Sequence, residues 1–223
     1  MGKRMKSYLA FTTVAYKVVL FILAPLAAIG IQVLLAPMEY SEPGLGLYLT
    51  AVLMVELEIV MDYWAFGAVA AKGNGCLEYL KTSARGLKLM KTALWQDAFR
   101  VFAECLLVLS LGMAAHHLVR RDFAGFTRQM EAGETLKLLA IAMAAYFVAM
   151  SGQLITRYFD NIQVNMVVAA LTANSILLLL LWMVNLSGYF MLAALTFFSV
   201  TVSVFGLRQI MTRVEESYYD ERL

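Results

Sequence analysis

Six long apolar runs limit what this chain can fold into. Each holds roughly 20 residues, the length that carries a helix across about 30 Å of hydrocarbon. They lie at about 18–36, 47–71, 99–118, 136–154, 164–184 and 189–207. Apolar residues are clustered rather than alternating, so the pattern is that of buried helices and not of half-buried strands. Composition agrees: 61% of residues are hydrophobic and 15% charged, where a soluble domain has about 45–50% and about 25%. The expectation is an all-α polytopic membrane protein with one transmembrane domain of six helices. Only "NLSG", residues 185–188, separates the last two runs. A fused helix would be on the order of 40 residues, too long for a bilayer, so a tight turn is expected there.

The first run follows "MGKRMKSYLAFTTVAYK". Residues 3–15 combine basic positions with a Tyr, Leu, Phe and Val side, the composition of a short interfacial helix. The apolar run that follows continues through "IGIQVLLAP" and is longer than a signal-peptide core. It therefore counts as the first membrane helix. Pro25 is expected to kink it, with neighbouring helices supplying a partner for the freed carbonyl.

Charge sets the expected orientation. With six spans, both termini, the 72–98 loop and the 155–163 loop share one side, which collects 14 of the 18 Lys and Arg residues. Lys and Arg concentrate on the cytoplasmic side, so both termini and the 72–98 loop are expected there. Glu42 and Arg128 fall on the opposite side. A net charge of +2 is too small to suggest nucleic acid. Cys76 and Cys105 have no metal-binding spacing and are expected to be unpaired thiols. His116 and His117 are adjacent on a helix, point about 100° apart and are expected to be interface residues.

The loop contains most of a nucleotide-binding pattern. Gly75 and the pair Lys81-Thr82 match G-x-x-x-x-G-K-[ST], but Leu80 occupies the second glycine, where the backbone must approach phosphate. The stretch also follows an apolar helix instead of a strand. Nucleotide binding by this chain is not expected. The loop instead mixes apolar and basic residues on either side of the turn "TSARG". Leu77, Tyr79 and Leu80 are expected to insert into a cytoplasmic partner, with Lys81 and Arg85 at the rim, following the apolar-core, polar-rim anatomy of interfaces.

The second run, "LYLTAVLMVELEIVMDYWAFGAVAA", places Glu56, Glu58 and Asp62 inside the membrane. Glu58 and Asp62 are i and i+4, on one face; Glu56 points nearly the other way. A carboxylate at the bilayer centre costs at least about 2.5–3.5 kcal/mol, so this helix is expected to be surrounded by protein or water. No cation is expected at matching depth. Arg100 and Glu104, again i and i+4, are expected to pair near the cytoplasmic end of the third span, where Asp62 could join them. Glu56, Glu58, Asp62 and Glu104 are thus candidates for the translocation path or for helix packing.

Over "AAKGNGCLEYLKTSARGLKLMKTALWQDAFR", residues 70–100, the chain resembles the permease subunit of an exporter-type (type-2) ABC transporter. That family often carries a similar Glu-Tyr-Leu-Lys-Thr-Ser run, with a proline where this chain has Ala84. The order of elements is similar along the whole length. The resemblance implies a basic interfacial N-terminal helix, six membrane helices, cytoplasmic termini and a short coupling helix in the 72–98 loop. It further implies a separate ATPase subunit docked on that loop, a second permease chain (identical or related), and a place in the bacterial cytoplasmic membrane. ATP would be hydrolysed on the partner, leaving this chain with no catalytic residue, cofactor or metal. The alternatives are an ion-coupled secondary carrier or channel that uses the intramembrane carboxylates, and a membrane-embedded enzyme. An enzyme would need a nucleophile–base pair or a metal set at one depth, and the sequence offers acids with no matching His or Cys cluster.

Overall fold

The computed structural model describes residues 12–35, 45–62, 85–119, 132–158, 162–186 and 188–220. These form six helices and, among the described residues, no strand. They are α1 (Val14–Leu35), α2 (Leu45–Asp62), α3 (Gly86–Val119), α4 (Ala132–Tyr158), α5 (Ile162–Leu186) and α6 (Gly188–Asp220). Five of them, all but α2, are long and apolar enough to cross a membrane. The chain is therefore an all-helical integral membrane protein. α2 spans 18 residues but carries three carboxyl groups, and residues 63–71, where its apolar run continues, lie outside the described residues.

α1 begins with a cap. Thr13 has extended backbone angles, and its hydroxyl accepts the Tyr16 N–H at 3.1 Å, satisfying one of the orphan donors of the first turn. The helix that spans the membrane thus starts at Val14, inside the segment expected to be interfacial. Residues 3–11 of that segment lie outside the described residues. Val19–Leu23 form a π-helical segment, with the Ala24 N–H donating to the Val19 carbonyl. The segment ends two residues before Pro25. Proline has no N–H and its ring crowds the carbonyl four residues back, and the backbone adjusts by widening one turn.

The boundary of the third helix differs from expectation. A short helical piece is expected after the "TSARG" turn, inside the 72–98 loop; the helix does open at Gly86, but it continues without a break into the third apolar run. Met90, Ala93, Leu94 and Ala98 are buried in the main core, which explains why the helix persists past the end of the most apolar window. The turn between the last two helices is where expected, since α5 ends at Leu186 and α6 opens at Gly188. The last helix runs on through Asp220, carrying its mixed-charge tail past the apolar segment.

α4 is the central element and touches α2, α3, α5 and α6, while α1 packs on α2 and α3. Its sequence explains the position. Ala140, Ala142, Ala144, Ala145 and Ala149 are all fully buried. Small residues on every side let several helices approach closely, the usual device where lipid supplies no hydrophobic drive between helices. The peripheral helices are apolar outward, as at Phe21 and Leu26 on α1, Leu171 and Trp182 on α5, and Phe197 and Phe205 on α6. Such surface is stable against hydrocarbon.

Gly152 sets the α2–α4 contact. A Cβ built on it would lie 2.5 Å from Ile59 Cδ1, and Ile59 is itself fully buried. Gly152→Leu is therefore expected to destabilise the protein by about 1–3 kcal/mol through overpacking, read as a lower apparent melting temperature in detergent. Gly30, also helical, has no atom within 4 Å of a built Cβ, so Gly30→Leu should leave the midpoint near that of the wild type. Equal shifts for the two variants would show that the α2–α4 contact is not close-packed at Gly152.

Candidate functional site

Next to the Gly152 contact, one buried guanidinium gathers groups from four helices. On α3, Asp97, Arg100 and Glu104 are i, i+3 and i+7, so helical period alone places them on one face. Arg100 Nε donates to Asp97 Oδ1 at 3.1 Å, and Nη1 donates to Glu104 Oε2 at 2.5 Å. Across to α2, Arg100 makes a two-pronged contact with Glu58: Nη1 to Oε1 at 2.8 Å and Nη2 to Oε2 at 2.6 Å. From α4, Gln153 Nε2 donates to Glu58 Oε2 at 3.3 Å and to the Glu58 carbonyl at 3.4 Å. From α1, the Tyr16 hydroxyl donates to Asp97 Oδ1 at 3.3 Å, and its ring centroid lies 5.3 Å from the Arg100 guanidinium carbon.

The cluster is dry. Arg100 is 7% exposed, and Glu58, Asp97 and Gln153 are 0%. All three guanidinium nitrogens are engaged, and the fork of Arg matches the Glu58 carboxylate in a way a lysine cannot. The Tyr16 face adds a cation–π contact. Among the described residues, three carboxyls of the group meet one guanidinium. Glu104 Oε1 and Gln153 Oε1 have no hydrogen-bond partner among the described residues. The arrangement joins helices tightly, and among the described residues no group of three acids, histidines or cysteines is placed to hold a metal.

The sequence-predicted residues divide among several places. Glu58 and Glu104 join at Arg100, and Asp62, one turn beyond Glu58, is fully buried. Glu56 points the other way, as its spacing required, and its carboxylate accepts from Asn174 Nδ2 on α5. Arg85 lies in the exposed turn before α3. Leu77, Tyr79, Leu80 and Lys81 fall outside the described residues, as does Cys76. Cys105 is a buried free thiol. His116 is buried near the end of α3, with its ring perpendicular to that of His117.

One expectation is overturned: a cation does sit level with Glu58. Arg100 looked like the end of a span because it is charged. With α3 beginning at Gly86, it lies about four turns into a continuous helix,. Three partners were missed. Asp97 was legible from its i, i+3 spacing to Arg100. Gln153 shows in the sequence only as a polar residue inside an apolar run. Tyr16 gave no local signal, because its role depends on α1 packing against α3.

Tyr16 lies in the first turn of α1 and Gln153 in the last two turns of α4, so the cluster sits near one end of those helices. That end is also where α2 leaves its described segment and α3 begins. Comparison with protein-family models, curated proteins and solved structures finds no match to the chain.

Proposed function

We propose that this chain is the membrane-spanning permease subunit of an ATP-driven exporter, pairing with a second permease chain and docking a separate ATPase through the 72–98 segment. The observation that carries this reading is the placement of the Arg100 cluster. It ties α2 and α3, the two helices flanking the docking segment, to each other and to α1 and α4. A push on the segment would reach four helices together, because Arg100 bonds directly across the α2–α3 contact and Tyr16 and Gln153 extend the bonded group to α1 and α4. Helices α5 and α6 are held to that body chiefly through α4, and a relative movement there would open and close a path. The similarity of residues 70–100 to the coupling region of such permeases supports the same conclusion.

Ion-coupled carriage through Glu58 is disfavoured, because both of its carboxylate oxygens are taken by Arg100. On the exporter reading the chain sits in a bacterial cytoplasmic membrane, and the 14-to-4 cation split supports a cytoplasmic side for both termini and residue 81. In a background lacking Cys76 and Cys105, a cysteine at position 81 is expected to react only after permeabilisation, and one at position 128 from outside intact cells. Vesicles holding the chain and its ATPase should transport only with ATP. Gradient-driven transport by the purified chain alone would overturn the proposal.

A further inference from the structure

Glu56 is the one intramembrane acid of α2 that is not fully taken up by the protein. It is half-buried, its hydrogen bond comes from Asn174 Nδ2, and Asn174 is also half-buried. Asn174 Oδ1 is buried and has no hydrogen-bond partner among the described residues. The pair therefore presents a carboxylate and an amide oxygen, both acceptors, with one amide N–H already used on Glu56,. On either side along α5, one turn away, Leu171 and Leu178 are exposed, and half-buried Leu53 and Val60 flank Glu56 on α2. The nearby hydroxyls of Thr172 and Ser175 donate to carbonyls of their own helix.

A half-exposed carboxylate among membrane-spanning helices is too costly to leave facing hydrocarbon. A second copy of the chain packed through this face would not neutralise it, since neither α2 nor α5 contains Lys, Arg or His. An ionised Glu56 therefore takes its countercharge from outside α2 and α5. From this we infer that Glu56 and Asn174 form a binding site for the ammonium or guanidinium head of a cationic amphiphile, with its apolar body against the leucines of α5. The inference rests on the exporter reading only in taking such a molecule as the transported substrate; the site itself follows from the α2–α5 geometry.

The test uses the full chain in nanodiscs and a dansyl-labelled alkyl primary amine, whose emission rises in an apolar site. Saturable binding is expected, weakened at least tenfold by Glu56→Gln and by Asn174→Leu. The N-acetylated, uncharged form of the same probe should bind the wild-type chain at least tenfold more weakly, a comparison that needs no variant and so does not depend on any variant folding. Equal binding of the charged and acetylated probes, or no saturable binding at all, overturns the site. These measurements need no ATPase. An amine site that depends on Glu56, in a chain that moves the amine without ATP, would keep this inference and remove the exporter reading. ATP-driven transport with no amine binding would do the reverse.

Discussion

Replacing Arg100 with leucine should remove most of the properly folded protein. The substitution leaves Glu58, Asp97 and Glu104 facing one another in a dry site with their shared cation gone. Removing one partner of a buried ion pair costs about 3–5 kcal/mol, a large part of the roughly 5–15 kcal/mol that holds a typical domain together. The expected result is a collapse of the monodisperse size-exclusion peak in detergent. Arg100→Lys should recover only part of it, because an ammonium cannot bridge both Glu58 oxygens while also reaching Asp97 and Glu104. Adding Glu58→Leu to Arg100→Leu should recover some of the loss, since one buried charge goes with the cation. A wild-type peak from Arg100→Leu would mean that the cluster is not what joins these helices, and the mechanical reading of the docking end would fall with it.

The second large effect is expected at Leu80, outside the described residues. If Leu77, Tyr79 and Leu80 form the apolar centre of the contact with an ATPase, then Leu80→Asp puts a charge there with no partner, at a cost of several kcal/mol of docking. Co-purification of the ATPase should fall by about a hundredfold or more, since each 1.4 kcal/mol is tenfold in affinity. Lys81→Ala should do much less, because a rim cation acts more on association rate than on affinity. A phosphate-binding loop would show the opposite order, since its lysine reaches the phosphates. If the isolated chain binds ATP and Lys81→Ala abolishes that binding, the docking hypothesis is wrong.

The two experiments separate two parts of one device. Leu80 tests whether force enters at the segment between α2 and α3. Arg100 tests whether those helices are joined so that it can pass on. A chain that tolerates Arg100→Leu but loses its ATPase with Leu80→Asp would have the docking surface without the clamp.

How much of this was legible beforehand follows from the range of each interaction. Helix content, the break between the last two helices within 185–188 and the opposed directions of Glu56 and Glu58 are all readable from sequence. Each depends on hydrophobic run length or on the 3.6-residue period, which are properties of neighbours along the chain. That the helical piece after "TSARG" and the third apolar run are one continuous helix is not legible in hydropathy, which counts every charge against a span. It cannot register that Asp97, Arg100 and Glu104 offset one another. Tertiary structure decided which groups meet: Tyr16 with Asp97 from 81 residues away, Glu58 with Arg100 from 42, Gln153 with Glu58 from 95. Such pairs depend on which helix faces lie together, and that is set by contacts such as Gly152 against Ile59. Run length and residue spacing are enough to establish long apolar helices with acids within the second. Only the packed bundle decided that one of those acids is held by an arginine while another is left partly open, because the helical period fixes the direction of a side chain and not what it finds there.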